Sequence, residues 1–167
     1  MSQRIVRKIL LFLLIFLPAY LLASLYFLDK QFFLCPIAYQ QGIIIRYDNR
    51  GDGFFGASRN GRRLHQGIDL LAEVGTPVRA VRLGRVVAAT QNNGMGKYVV
   101  IKHPYNITTI YGHLSEILVA KNKFVRQGQV IGRVGKTGNA SHPSIEPHLH
   151  FEVRNNGIPQ DPLEYLE

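Results

Sequence analysis

From Ile9 to Leu28 the chain runs for 20 residues, ILLFLLIFLPAYLLASLYFL, without a charged side chain, and only Tyr20, Ser24 and Tyr26 are polar. As a helix rising about 1.5 Å per residue, this run is about 30 Å long, the thickness of a bilayer's hydrocarbon core. Arg4, Arg7 and Lys8 precede it and Asp29 and Lys30 follow it. That bias leaves the N-terminus in the cytoplasm and exports the rest. The expected organisation is a cytoplasmic stub (1–8), a transmembrane signal anchor (9–28), a juxtamembrane linker (29–45) and one folded domain (46–167).

The competing reading is a cleaved signal peptide, with Pro18 breaking the helix and cleavage after Ala23. It places Leu21 at a position that favours a small residue, and it would leave Leu25-Tyr26-Phe27-Leu28 exposed. A lipoprotein signal fits less well, because Phe32-Phe33-Leu34 before Cys35 lacks the small residues that precede a lipidated cysteine. Cys35 is the only cysteine in 167 residues, which excludes both an intramolecular disulfide and a thiolate zinc cluster. Any metal must therefore be held by histidine and carboxylate.

The formal charge is +9, and +6 of it lies beyond residue 30. A field of this sign favours encounter with anionic polymers. An exported location and the scatter of Arg and Lys among turns argue against nucleic acid as the partner. Nothing in the sequence specifies an oligomeric state.

Arg46 to Arg63, rich in Gly and Arg and without apolar period, reads as a surface loop. Its Arg50-Gly51-Asp52 tripeptide carries no weight as an adhesion motif. Beyond Gly75 the pattern becomes short β-rich segments between turn residues: Pro77 to Val81, Arg85 to Thr90, Tyr98 to Lys102, Ile107 to Tyr111, Lys123 to Arg126, Val130 to Val134 and Leu149 to Arg154. Closely spaced strands with no long helical period predict an all-β antiparallel sandwich or barrel-sandwich-like domain.

Three local patterns in this domain carry chemistry: His65-Gln-Gly-Ile-Asp69, Tyr111-Gly-His113-Leu114 and His148-Leu-His150. Residues i and i+2 of a strand project from one face, so His148 and His150 stand side by side. Catalytic zinc takes three protein ligands from His and carboxylate plus a water, and His65 and Asp69 complete such a set. No HExxH occurs, which excludes the helical zinc proteases whose glutamate is the base.

These stretches, together with Gly75-Thr-Pro-Val-Arg-Ala80, Gly84-Arg-Val-Val87, Val125-Arg-Gln-Gly-Gln-Val-Ile-Gly132, Gly135-Lys-Thr-Gly138 and Pro147-His-Leu-His-Phe-Glu152, resemble the lysostaphin-type (LytM-like) zinc metallopeptidases, which cut bacterial cell walls. The likeness covers roughly Gly53 to Leu166. It implies one Zn²⁺ ion held by His65, Asp69 and His150, with His113 and His148 as catalytic histidines that activate the water or stabilise the tetrahedral intermediate. The division of labour between those two stays open. It also implies an endopeptidase acting on peptidoglycan cross-links or stem peptides, and with the N-terminal run read as an anchor the chain is expected in a bacterial inner membrane, its domain in the periplasm or outside the cell.

Thr137 to Pro147 departs from the best-known members of that family and is expected to shape the substrate groove. Arg59 is a candidate for binding a substrate carboxylate bidentately, against the plainer reading of a loop arginine. Glu152 is expected either to orient a ligand or to line the groove. His103 and His142 match no ligand position and read as polar loop residues. Two other functions compete: a non-catalytic wall-binding or regulatory domain that activates other hydrolases, and a carrier-like β domain, which lacks its modified-lysine motif here.

Overall fold

The computed structural model describes residues 3–28, 33–59 and 61–166. They divide into two compact units, the first ending at Phe32 and the second beginning at Phe33.

In the first unit, α1 (Gln3–Leu28) is a single α-helix of 26 residues that continues through Pro18. A proline interrupts the helical hydrogen-bond ladder, but apolar membrane helices tolerate it. The break expected at Pro18 under the cleaved-signal reading is therefore not seen. Gln3–Leu22 is apolar enough to cross a membrane, and its side chains are not buried within the protein. Asp29 and Lys30, the downstream flank of the topology argument, lie outside the described residues.

The second unit opens with two short antiparallel hairpins inside the stretch expected to be a loop. One pairs β1 (Tyr47–Asp48) with β2 (Gly51–Asp52), the other β3 (Ser58–Arg59) with β4 (Arg63–Leu64). Nine further strands form one antiparallel sheet: β5 (Ile68–Leu71), β6 (Pro77–Arg79), β7 (Gly84–Asn92), β8 (Gly96–Lys102), β9 (Ile107–Ile117), β10 (Phe124–Val125), β11 (Val130–Val134), β12 (His148–Asn155) and β13 (Ile158–Gln160). The main path runs β10-β7-β8-β9-β11-β6, and β12 branches from β9 carrying β5 and β13. The all-β antiparallel class is as expected, with the strands joined into one branched sheet.

The branch explains the site. The first part of β9 pairs with β12, from Ile107 opposite Asn155 to Gly112 opposite His150. Its last part pairs with β11, from Leu114 opposite Val134 to Ile117 opposite Gly132. Between them lies His113, in the left-handed region at φ 61°. The strand thus changes neighbour at a histidine.

The core is built by alternation. On β12, Leu149, Phe151 and Val153 are fully buried against Ile68, Leu70, Tyr111 and Ile101. His148, His150 and Glu152 project from the opposite face. Fully burying side chains of this size stabilises the fold by about 1.5–3 kcal/mol each.

Two expectations are corrected. The folded unit begins at Phe33 and not at Arg46, because Phe33 and Ile37 are core residues and Leu34 N–H donates to the Val81 carbonyl. His103 lies in the loop after β8 as expected but is not a surface residue: it is 3% exposed, held between the Leu83 carbonyl and the Thr109 hydroxyl. Cys35 is half-buried, and burial pushes its thiol pKa up, as befits a passive thiol.

Candidate metal centre and cleft

Strand β5 lies antiparallel to β12 with Asp69 directly opposite His150, so the carboxylate and the imidazole share a face. His65 reaches the same point because the chain between it and β5 is pressed onto β12 at Gly67. A Cβ at Gly67 would stand 2.2 Å from the Phe151 carbonyl oxygen, so only glycine permits this approach. One ligand atom each from His65, Asp69 and His150 then lie within 4.8 Å of one another, all three residues buried.

Hydrogen-bond partners assign the tautomers. His65 Nδ1 is 2.9 Å from the Phe54 carbonyl, which can only accept, so its Nε2 lone pair is free. His150 Nε2 is 3.0 Å from Glu152 Oε1, another acceptor, which leaves Nδ1. The two free nitrogens are 3.0 Å apart, and Asp69 Oδ1 lies 3.1 Å from the first and 2.9 Å from the second. Three lone pairs facing one another in a buried space require a cation between them. Two imidazole nitrogens and a carboxylate oxygen form the donor set that suits zinc, and leave a tetrahedral ion one open position.

The titration behaviour agrees. Burial alone would raise the Asp69 carboxyl, but its contacts with His150 and His65 and the charge of His150 hold it well below the usual carboxylate range. Burial opposes a charge on His150, yet its hydrogen bonds to Asp69 and Glu152 push it up to about 9. With no metal present, a proton on His150 is the cation the site demands.

The outer oxygen of Asp69 is held separately. Oδ2 accepts from Arg59 Nη2 at 2.8 Å and from Arg46 Nη2 at 3.0 Å. Arg59 also donates to the Asp52 carbonyl, which fixes its guanidinium between Asp69 and the β2 backbone. It lines the cleft beside the triad. Glu152 accepts from His150 with Oε1 and from Arg154 with Oε2, and it also lines the cleft.

His113 and His148 flank the triad, their rings 5.0 Å apart. His113 Nδ1 donates to the Thr137 carbonyl at 2.9 Å, and its backbone N–H to Met95. His148 Nδ1 donates to the Glu146 carbonyl at 2.6 Å, while its Nε2 stands 3.8 Å from Asp69 Oδ1. Each therefore has a free Nε2. Burial, then the charges of His150 and His148, push His113 down to about 3, and burial also lowers His148. Two imidazoles kept neutral beside a cation site can accept a proton.

All six expected site residues line one cleft of about 520 Å³. Sequence reasoning missed Arg46, which is 4% exposed and links Asp69 to Asp48. Asp48 Oδ2 in turn accepts from Glu146 N–H in the loop leading into His148. Arg50 donates to Ser144 Oγ and approaches His142 Nε2 at 2.7 Å, tying the same hairpin to the same loop. His142 is an exposed loop residue, as expected. The one available signal for Arg46 was indirect: a buried carboxylate needs a counter-charge, and Arg46 ends the apolar run Ile43–Ile45.

Residues 63–162 match the sequence profile of Peptidase family M23. A curated relative from Neisseria meningitidis, DD-carboxypeptidase/endopeptidase Mpg, is 46% identical over 101 residues, which are 60% of this chain and 22% of the relative. The chain thus spans about a fifth of that relative's length. Among solved structures, a zinc-containing peptidase from Vibrio cholerae superposes with TM-score 0.63 at 31% identity, covering 77% of this chain and 38% of that one. Lysostaphin from Staphylococcus simulans gives TM-score 0.60 at 32% identity, covering 70% and 48%.

Proposed function

Because the chain belongs to peptidase family M23, a family of zinc metallopeptidases, we propose that it is a zinc endopeptidase hydrolysing peptide bonds in peptidoglycan cross-links or stem peptides. The observation that carries this reading is the convergence of the free lone pairs of His65, Asp69 and His150 in a cleft where His113 and His148 each keep a free Nε2. The relative from Neisseria supports the choice of bond class.

In this mechanism His65 Nε2, Asp69 Oδ1 and His150 Nδ1 would hold the ion. Zinc, when bound, supplies Lewis acidity that polarises a scissile carbonyl and makes water nucleophilic near neutral pH. His148 and His113, oriented by the Glu146 and Thr137 carbonyls, take the proton of the attacking water and return it to the leaving amine. Glu152 fixes the tautomer of His150, and Arg46 and Arg59 keep the Asp69 outer oxygen occupied, which would leave Oδ1 for the ion. A purely regulatory domain has no use for both proton-transfer histidines beside a complete donor set.

The helix α1 anchors the chain in a bacterial inner membrane, with the N-terminus cytoplasmic and the peptidase domain in the periplasm.

The test is to incubate the zinc-loaded full chain, in detergent, with purified sacculi and to identify released muropeptides by mass. Conversion of cross-linked dimers to monomers is expected of the native protein and not of His148→Ala. Zinc bound at one equivalent without any conversion would overturn the hydrolase reading and favour the regulatory one.

A further inference from the structure

Opposed residues of antiparallel strands point to the same face. The sheet register links Arg154 to Thr108, Thr108 to Lys102, Lys102 to Arg85 and Arg85 to Phe124, one rung across β12, β9, β8, β7 and β10. The neighbouring rung, Val153, Thr109, Ile101 and Val86, is fully buried, so this one faces away from the core. On β12 it has the parity of His148, His150 and Glu152, and Arg154 itself lines the cleft. The rung therefore starts at the active-site cleft and leaves it across the sheet. At about 4.8 Å per strand, Arg85 stands about 14 Å from Arg154.

Arg154 pairs with Glu152, but the charges farther along the rung are not neutralised. Lys102 and Arg85 are exposed, and among the described residues no carboxylate pairs with either. Arg85 donates only to the neutral Asn122 side chain. Like charges directly opposite each other on paired strands destabilise a sheet, yet Lys102 and Arg85 are so placed. Phe124 ends the rung on an edge strand, 73% exposed, with Lys121, Lys123 and Arg126 exposed around it. From Val74 to Ile145 the chain has ten Lys and Arg and a single acid, Glu116.

We propose that this rung is an anion-binding track that holds the carboxylates of the substrate's peptides beyond the scissile bond, with Phe124 as an apolar platform at its far end. The assignment rests on the cell-wall reading above. Continuity with the cleft through Arg154 selects the substrate as the occupant over a lipid surface, since a lipid-binding patch has no need to begin at the metal site.

The experiment measures binding without turnover. The full chain carrying His148→Ala, in detergent, is pulled down on intact sacculi at increasing salt, with and without Arg85→Gln and Lys102→Gln. The pair of substitutions is expected to weaken binding about three- to tenfold at low salt and to flatten its salt dependence. Sacculi with amidated carboxylates are expected to bind the unsubstituted track as weakly, and to be indifferent to the two substitutions. Because both side chains are exposed like charges, the variant should melt no lower than its parent. Unchanged binding, a loss that persists on amidated sacculi, or a loss confined to phosphatidylglycerol vesicles would each overturn the proposal. Failure of the native chain to hydrolyse sacculi, with the binding pattern intact, would refute the endopeptidase reading and leave the track standing.

Discussion

Arg46 and Asp69 meet through Nη2 and Oδ2 at 3.0 Å, each with its side chain only 4% exposed. The contact joins the residue that ends the leading segment of the domain to the carboxylate that faces the metal position. Through Asp48 and the Glu146 amide it continues to the loop that delivers His148.

Removing that contact should be felt at the metal. Arg46→Met keeps the bulk of the side chain and leaves Asp69 with Arg59 alone on its outer oxygen. Loss of such a supporting partner costs about 10–100-fold in metal affinity or activity. Competition with a chromogenic chelator should show weaker zinc binding for Arg46→Met and partial recovery for Arg46→Lys. Affinity equal to the native protein would mean that the arginine only fills space.

The two kinds of histidine should separate cleanly. His150→Ala removes a donor and should abolish both stoichiometric zinc and hydrolysis. His148→Ala and His113→Ala should retain zinc, measured by elemental analysis, while losing about 10²–10⁴-fold in kcat, the range of general acid–base catalysis. Chelation of the native protein should mimic His150→Ala and be reversed by added zinc.

The boundary at Phe33 has a stability consequence. Deleting residues 1–32 leaves the core intact, whereas deleting 1–39 removes Phe33 and Ile37, which are 4% and 2% exposed. Losing two such side chains should cost about 3–6 kcal/mol by burial alone. The melting temperature of the shorter domain should fall well below that of the longer one, both measured with zinc bound.

His103 makes stability depend on pH away from the metal. Burial pushes its pKa down to about 4 against the Leu83 hydrogen bond, and the charge of Arg82 pushes the same way. The unfolded chain binds this proton more readily, so the stabilisation is complete above about pH 6.5 and is lost as pH falls toward about 4, up to about 3 kcal/mol. His103→Gln cannot titrate and should flatten that part of the melting-temperature profile. An unchanged slope between pH 6.5 and 4 would show that other groups carry it.

Much of the strand pattern was legible because it depends on local alternation. Leu149, Phe151 and Val153 alternate with His148, His150 and Glu152, and that period alone puts the paired imidazoles on one face and the apolar residues in the core. The extension of β9 past Tyr111 was not legible, because Gly112 and a left-handed His113 interrupt the period where the strand changes neighbour. The hairpins within Arg46 to Arg63 escaped for a related reason: two-residue strands have no period to read.

The amino-acid sequence by itself determined the apolar N-terminal helix and the antiparallel β class, since both are written in residue type and short spacing, whereas the donor set of His65, Asp69 and His150 and the pair of free histidines were expected from its resemblance to the metallopeptidase family. Only the tertiary structure decided that Arg46 and Arg59 hold the outer oxygen of Asp69, that His103 is buried, that the domain begins at Phe33, and that Arg85, Lys102 and Arg154 share a rung. Those relations join residues that are distant along the chain, and strand register with side-chain packing, not any local pattern, brings them together.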